Sequence, residues 1–184
     1  MLCTANVCRS VMAEALLSAH LAAPGHAAAG GHQVSVSSAG LLGGGYPPPP
    51  EVLAGMAVRG CDVTGHRSRR VAPQDLAGAD LVLGMAREHV RHAAVLLPDV
   101  WPRAFTLREL VNRGRQAGAR LPGEQLCEWL ARVASGRSRR DLLGGGTVHD
   151  VADPVGGPPR GYEFTADLLD MLTGDLTDLC WPPG

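Results

Sequence analysis

The chain has 184 residues, of which 45% are hydrophobic and 19% charged, and its formal net charge is −1. This length and balance suit one globular domain, so residues 1–184 are interpreted as a single domain. The near-neutral charge gives no electrostatic reason to expect nucleic acid or a membrane surface as a partner. No apolar run in the sequence approaches the roughly 20 residues that cross a bilayer.

The cysteine content points to a reducing compartment. An odd number of cysteines argues against a disulfide framework, and no charged segment leads into an apolar signal-like run. We therefore expect a cytoplasmic protein. The cysteines are Cys3, Cys8, Cys61, Cys127 and Cys180.

Helix-like and strand-like segments alternate along the first half of the chain. Apolar residues at helical spacing predict a helix from Ser10 to about Leu21. The alternating segment QVSVS predicts a strand over 33–37. The glycine and proline density of 38–50 predicts a loop.

The same alternation continues to the end of the chain. The apolar run at 80–85 predicts a buried parallel strand, and RAFTL at 103–107 predicts a short strand. Segment 135–150 is predicted to be a mobile linker. The alternation predicts a three-layer α/β/α fold with a parallel sheet of about four strands. Helices are predicted at 51–60, 87–98, 107–114, 123–134 and 162–179.

The segment CTANVCRS, residues 3–10, carries the clearest chemistry in the sequence. A loop that opens into a helix points backbone N–H groups and the positive end of the helix dipole at one spot, which suits an anion. Arg9 adds a planar fork that can grip two phosphate oxygens. Thiols in such positive fields ionise at neutral pH, so Cys3 is predicted to be a thiolate that attacks phosphorus. Ser10 could steady that thiolate by a hydrogen bond.

Two other interpretations of these cysteines stay open. A buried cysteine is often only a small apolar side chain. Cys3 and Cys8 are also spaced like a metal-binding pair, but zinc needs further ligands, and no compact second pair follows in the sequence. We therefore expect no metal and no cofactor.

A phosphoryl transfer of this kind needs an acid to protonate the leaving group. Asp153 precedes a proline that restricts it to extended geometry, and glycines at 156–157 allow a ligand to come close. Asp-Pro more often makes only a turn, and Asp150 is the nearest competing carboxylate.

These segments together resemble the low-molecular-weight protein-tyrosine phosphatase family. The resemblance rests on CTANVCRSVMAEALL at the start, VSSAG at 36–40, GCDVTGH at 60–66 with RSRR after it, ADLVLGM at 79–85, and the pair Asp153-Pro154. It covers most of residues 1–106 and again about 150–180. Residues 107–150 are less like the family and are interpreted as an insertion.

The resemblance implies a role for each residue that matches a family position. Cys3 would attack phosphorus and become a phosphocysteine, Arg9 would hold the phosphoryl oxygens, and Asp153 would protonate the leaving group and later activate water. Ser10 matches the serine that bonds the thiolate. The implied phosphate-binding loop is Thr4, Ala5, Asn6, Val7, Cys8, Arg9 and Ser10.

Further implied roles concern loop support and oxidation. Asn6 matches a residue that the family holds in left-handed geometry, and Ser38 and His66 match the partners that support it. Cys8 matches a second cysteine that can form a reversible disulfide with Cys3 under peroxide. Cys8 could equally serve only to pack under the loop.

The sequence departs from the family pattern around the substrate cleft. Aromatic residues usually wall this cleft, whereas Leu41, Leu42 and Tyr46 are the bulky candidates in the first loop, and Val155-Gly156 follows Asp153-Pro154. Val7 stands where family members that act on phosphoarginine tend to have threonine, which favours phosphotyrosine. Arsenate reductases of this fold need a closely spaced further cysteine pair.

The start of the chain is the largest departure from the family. Family members carry a buried strand before the first cysteine, whereas only Met1 and Leu2 precede Cys3 here. We therefore expect a short first strand, and we hypothesise that the natural start lies upstream. The sequence predicts a phosphatase acting on phosphorylated proteins. The alternatives are a non-catalytic phosphate-binding or redox-responsive module, or the same fold acting on phosphoarginine or arsenate.

Overall fold

The computed structural model describes residues 1–24, 34–144 and 146–182. Within these residues, four strands form one parallel sheet in the order β2-β1-β3-β4. The strands are β1 (Leu2–Cys3), β2 (Ala39–Gly40), β3 (Val82–Gly84) and β4 (Ala104–Thr106).

Seven α-helices and two short 3-10 segments surround the sheet in the described part of the chain. None of the helices in these ranges is long and apolar enough to cross a membrane. The helices are α1 (Arg9–Ala22), α2 (Pro50–Ala57), α3 (Pro73–Ala77), α4 (Arg87–Leu96), α5 (Leu107–Ala117), α6 (Leu126–Val133) and α7 (Pro159–Cys180), and the 3-10 segments are Pro98–Arg103 and Arg139–Leu142.

The strands are apolar on both sides because each side of the sheet is covered by helices. Successive strand residues point to opposite faces, so Cys3 and Leu83 join a core with α1, α2, α5, α6 and α7. Leu2 and Val82 join a second core with α3 and α4. The predicted three-layer α/β/α fold with a four-stranded parallel sheet is confirmed.

The strand predicted over 33–37 is wrong. Residues 34–38 form no strand, Gln33 lies outside the described residues, and β2 begins at Ala39 instead. The pairing explains the shift, because β2 pairs with β1 in the register Leu2 to Ala39 and Cys3 to Gly40. Residues before Ala39 have no strand beside them to complete a ladder. The loop predicted over 38–50 therefore contains β2.

The linker predicted over 135–150 is only partly irregular. It includes the 3-10 segment Arg139–Leu142, and the Arg137 side chain is almost fully buried at 2% exposure. Its guanidinium lies over the rings of Trp101 and Phe105, at 4.1 and 3.8 Å from their centroids. It also pairs with Glu109 at 2.8 Å. The predicted insertion at 107–150 stays a prediction.

Arg137→Ala is expected to lower the free energy of unfolding by about 3 kcal/mol, since it removes a buried ion pair and two cation–π contacts. Urea unfolding of the two proteins measures this change. Arg139→Ala is the matched control, because Arg139 is exposed and donates one hydrogen bond to the Pro98 carbonyl. The control should change stability by less than about 0.5 kcal/mol. Equal losses in the two variants would contradict this role for Arg137.

Candidate active site

The loop that joins β1 to α1 lies at the carboxyl edge of the sheet, where ligands bind in open parallel α/β folds. It occupies the centre of that edge, because β1 has β2 on one side and β3 on the other. Within the described residues, no side chain caps the N-terminus of α1. The first N–H groups of this 14-residue helix and its dipole therefore face the loop and favour an anion there.

Two hydrogen-bonding groups hold the sulfur of Cys3. The Asn6 backbone N–H donates to Sγ at 3.2 Å, and the Ser10 hydroxyl lies 3.0 Å from Sγ. Ser10 Oγ itself accepts from Asn6 Nδ2 at 3.0 Å, which leaves the hydroxyl hydrogen free to point at the sulfur. The sulfur of Cys3 therefore lies within hydrogen-bond reach of two groups of the loop.

Asn6 is buried and adopts a left-handed backbone conformation, with φ of 55°. Such a conformation is costly for a residue other than glycine unless its surroundings hold it. Here its amide nitrogen donates to Ser10 and Ser38, its side-chain oxygen accepts from the Arg69 N–H, and its carbonyl accepts from His66 Nε2 at 2.8 Å. The structure thus brings Ser38 and His66 to Asn6, and their role in supporting the loop stays a prediction.

The sequence analysis missed Glu14 as a member of this network. Ser38 donates its hydroxyl hydrogen to Glu14 Oε2 at 2.5 Å, which fixes Ser38 as an acceptor for Asn6. Glu14 lies four residues after Ser10 in α1, so both side chains share one helix face. The four-residue spacing from Ser10 to Glu14 is the feature of the sequence that could have indicated this.

Arg9 lies under the loop with its side chain 5% exposed. One terminal nitrogen donates to the Val151 carbonyl at 3.0 Å, and the other contacts Asp153 Oδ2 at 2.5 Å and Thr4 Oγ1 at 3.2 Å. The contact with Asp153 unites residues 144 positions apart. The predicted acid and the predicted phosphate-binding arginine therefore meet at one place.

The competing carboxylate, Asp150, has a different partner. Its Oδ1 accepts the Arg87 N–H at 2.8 Å at the start of α4. Asp153 is 42% exposed, and its second oxygen accepts from the Val155 N–H. Of the two, Asp153 faces the loop and remains open to a ligand.

Cys8 differs chemically from Cys3 although both are buried. Burial, with Asp153 and Cys3 nearby, raises the pKa of the Cys8 thiol to about 12. Cys8 therefore stays protonated at neutral pH and is a poor nucleophile, since only the thiolate attacks.

His89 was not singled out by the sequence analysis, yet it reaches the loop from α4. It is fully buried, its Nδ1 accepts the Ala86 N–H at 2.8 Å, and its Nε2 lies 3.1 Å from Thr4 Oγ1. Burial and the positive charge of Arg9 lower the pKa of His89 to about 3. The ring is therefore neutral at physiological pH.

Three exposed, bulky side chains of the described residues are candidates to contact a bound substrate. Leu42 is bonded through its N–H to the Thr4 carbonyl and is 55% exposed. Tyr46 is 65% exposed; its N–H donates to Ser68 Oγ, and its carbonyl accepts the Ser68 N–H. Val155, two residues after Asp153, is 55% exposed. These three residues are the bulky candidates for a cleft wall.

Gly40→Ala is expected to lower kcat/KM by about 10- to 100-fold. A Cβ at Gly40 would lie 2.9 Å from the Asn6 nitrogen and 2.9 Å from the Thr4 oxygen, which are backbone atoms that cannot turn aside. The loop must therefore shift, and small misplacements of reacting groups cost about this much. Steady-state kinetics on an aryl phosphate measure the loss.

Gly43→Ala is the control for Gly40→Ala. Gly43 lies three residues after Gly40, between β2 and α2, and a Cβ there meets nothing within 4 Å. Its kinetics should match those of the unmodified protein. Unchanged kinetics in Gly40→Ala would contradict the close packing of β2 against the loop.

The pKa of His89 predicts a pH dependence of folding stability. The unfolded chain binds a proton at this residue below pH about 6.5, whereas the folded chain does so only near pH 3. The loss of folding stability linked to His89 is therefore absent above about pH 6.5. Below that pH the free energy of unfolding falls by up to about 1.4 kcal/mol per pH unit. Arg9 and His92 both oppose protonation, and the exposed Glu88 lies 3.5 Å from Nε2.

His89→Asn measures that contribution, because asparagine does not titrate. Urea unfolding of both proteins between about pH 7 and about pH 4.5 should show a steeper loss in the unmodified chain. Identical slopes in the two proteins would contradict a neutral buried His89.

The chain is similar in sequence to proteins of a known family. A family model described as low molecular weight phosphotyrosine protein phosphatase matches residues 1–123. A probable low molecular weight protein-tyrosine-phosphatase, EpsP of Ralstonia solanacearum, is 36% identical over 109 residues, which are 59% of this chain and 68% of the relative. The matches to the first tyrosine-phosphatase relatives span 51% to 68% of their length.

Two further similarities extend over nearly the whole chain. A protein-arginine-phosphatase of Geobacillus stearothermophilus is 27% identical over 177 residues, covering 96% of this chain and 90% of the relative. The solved structure of a low molecular weight protein tyrosine phosphatase from T. tengcongensis is 29% identical. It superimposes with a TM-score of 0.68 over 96% of this chain and 95% of that chain.

The protein has a parallel α/β fold in which the loop from β1 to α1 carries a cysteine and an arginine at the start of a helix. The chain belongs to the low molecular weight phosphotyrosine protein phosphatase family, whose named members are enzymes.

Proposed function

We propose that the protein is a phosphatase that hydrolyses phosphotyrosine-type monoesters of phosphorylated proteins. The observation that carries the proposal is the donor pair at Cys3 Sγ, from Asn6 and Ser10, inside an anion site that also holds Arg9. A thiolate held in this way is aimed at the position where a bound phosphorus would lie. Phosphate would be the product.

The proposed reaction has two steps at Cys3. In the first, Sγ forms a bond to phosphorus while the bond to the aryl oxygen breaks, and Asp153 gives its proton to that oxygen. Arg9 and the loop N–H groups hold the phosphoryl oxygens as negative charge builds on them. In the second, Asp153 takes a proton from water, which attacks phosphorus and releases phosphate and the Cys3 thiolate.

In the free site, one terminal nitrogen of Arg9 is bonded to Asp153. A phosphate dianion offers Arg9 two oxygens, which suits the guanidinium fork better than one carboxylate oxygen does. Substrate binding therefore competes with Asp153 for Arg9. The released carboxyl can then turn to the leaving oxygen, because it is 42% exposed and keeps a hydrogen bond from its neighbour Val155.

The test of this proposal is hydrolysis of p-nitrophenyl phosphate at mildly acidic pH, followed by release of p-nitrophenolate and inorganic phosphate. Turnover without added metal or cofactor is the expected result. Binding of phosphate with no hydrolysis would favour a non-catalytic phosphate-binding module instead.

A second candidate substrate is phosphoarginine. It is favoured by the match to a protein-arginine-phosphatase over 96% of the chain. Val7 argues for tyrosine, because family members that act on phosphoarginine tend to have threonine at this position. Kinetics on matched phosphotyrosine and phosphoarginine peptides decide between the two, and Val7→Thr should move the preference toward phosphoarginine. Arsenate with an added thiol reductant is assayed beside these peptides to test arsenate reduction.

We also propose that Cys3 and Cys8 protect the site against peroxide. Peroxide would convert the Cys3 thiolate to a sulfenic acid, which removes one of the negative charges that keep Cys8 protonated. Cys8 would then lose its proton and attack the Cys3 sulfur, forming a disulfide and releasing water. Both cysteines are free thiols in the structure. Inactivation by peroxide should be reversed by dithiothreitol, and Cys8→Ser should make it irreversible. Reversal in Cys8→Ser would overturn the proposal.

We propose a cytoplasmic location on the same chemistry. A nucleophilic thiol stays active only where thiols are kept reduced, and the described cysteines form no disulfide.

A further inference from the structure

The hydroxyl of Thr4 lies between two buried nitrogen-bearing side chains, Arg9 and His89. Arg9 Nη2 lies 3.2 Å from Thr4 Oγ1, and His89 Nε2 lies 3.1 Å from it. An arginine nitrogen can only donate, so Oγ1 is the acceptor of that bond. The direction of the second bond depends on which nitrogen of His89 carries the proton.

The backbone N–H of Ala86 determines which ring nitrogen of His89 carries the proton. It donates to His89 Nδ1 at 2.8 Å, so Nδ1 carries no proton. The proton of the neutral ring is then on Nε2, which donates to Thr4 Oγ1. This bond is fixed in place, since His89 is fully buried and a Cβ at Gly84 would already touch His89 Cβ at 3.0 Å.

The two bonds fill the acceptor positions of the Thr4 oxygen. A hydroxyl has two acceptor lone pairs and one donor hydrogen, so the hydrogen must point away from both Arg9 and His89. Thr4 is only half-buried, whereas Arg9 and His89 are buried. Thr4 directly follows Cys3 in the loop, and an anion bound there would offer this hydrogen an acceptor.

We propose that the Thr4 hydroxyl donates a hydrogen bond to the transferred phosphoryl group, and that His89 is the positioning residue that aims it. The inference rests on the proposed function for its substrate, but the anion site it describes can be tested by phosphate binding alone. Thr4 would add a side-chain donor to the backbone donors of the loop. His89 would act without touching the phosphoryl group.

Thr4→Val tests the donor, and Thr4→Ser is its matched control because it keeps the hydroxyl. Binding of inorganic phosphate is measured by calorimetry, and kcat and KM are measured with p-nitrophenyl phosphate. A hydrogen bond to a charged group supports an expected loss in kcat/KM of about 10- to 100-fold for Thr4→Val. Phosphate affinity should also fall, and Thr4→Ser should restore most of both.

The positioning role of His89 is tested by two substitutions. Asparagine can accept the Ala86 N–H from the position of Nδ1 but is too short to reach Thr4. Glutamine can place its amide nitrogen where Nε2 lies and donate to Thr4. His89→Asn should therefore lower kcat/KM by about 10-fold, and His89→Gln should recover part of that loss.

A double-mutant cycle separates positioning from a general structural effect. In a Thr4→Val background the hydroxyl is gone, so His89→Asn should cost little more in kcat/KM. Additive losses, or wild-type phosphate affinity in Thr4→Val, would overturn the proposal. Thermal unfolding of each variant identifies losses that come from misfolding. If the unmodified protein hydrolysed nothing, the proposed function would fail, while phosphate affinity of Thr4→Val would still decide this inference.

Discussion

Replacing Cys3 by serine is expected to abolish turnover while leaving phosphate binding in place. Serine keeps the size of the side chain and a hydrogen-bonding atom near Ser10 and Asn6, but a neutral hydroxyl is a far weaker nucleophile than a thiolate. We expect kcat on p-nitrophenyl phosphate to fall by at least about 10⁴-fold. Kinetics and phosphate calorimetry on the same preparation measure both properties.

Cys127→Ser is the matched control for the nucleophile. Cys127 is exposed on α6 and carries the same chemical group outside the site. Its substitution should leave kcat and KM unchanged. A Cys3→Ser protein with full activity would remove the nucleophile from the proposed mechanism.

Asp153→Asn is expected to lower kcat by about 10²- to 10⁴-fold, the usual contribution of a positioned acid or base. The amide cannot give a proton to the leaving oxygen or take one from water. Its effect should depend on the leaving group, because p-nitrophenolate departs with little help from an acid. The loss in the phosphorylation step should therefore be larger for phosphotyrosine than for p-nitrophenyl phosphate.

Asp150→Asn provides the control for Asp153→Asn. It makes the same change three residues earlier, and the amide oxygen can still accept the Arg87 N–H. Its activity should match that of the unmodified protein. A larger loss in Asp150→Asn than in Asp153→Asn would show that Asp150, and not Asp153, is the acid.

The local part of the site could be predicted from the sequence because its pattern is local. Cys3, Arg9 and Ser10 lie within eight residues at the start of a helix, and helix spacing after Ser10 is clear. Periodicity indicated most of the alternation of strands and helices, though not β1, β2 or α3, and the α/β class followed from that alternation. Family resemblance, rather than spacing, suggested Ser38 and His66 as partners of Asn6.

The strand at 33–37 was predicted wrongly because alternation reports a side-chain pattern and not a pairing partner. VSVS has the right alternation, but β1 offers a partner only to Ala39 and Gly40. Arg137 was missed for a related reason. A basic run reads as exposed in sequence, whereas tertiary packing places this guanidinium between Trp101 and Phe105.

The remote members of the site depend on contacts that one sequence does not encode. His89 reaches Thr4 across 85 positions, and Asp153 reaches Arg9 across 144. Parallel topology gives a partial signal, because the ends of β1 and β3 are neighbours in the sheet. Residues that follow β3 could therefore be expected near the loop, but not the particular side chain that bonds it.

The central claim is that phosphate is transferred through the sulfur of Cys3. It is tested most directly by mixing Asp153→Asn with p-nitrophenyl phosphate, quenching after one turnover, and locating the phosphoryl group by peptide mass spectrometry. The hydrolysis step is slowed in this variant, so the intermediate should accumulate. We predict one phosphoryl group on the peptide that contains Cys3, attached to sulfur and absent in the Cys3→Ser, Asp153→Asn double variant. A phosphoryl group on any other residue, or a burst of p-nitrophenolate with no covalent phosphate, would contradict the account.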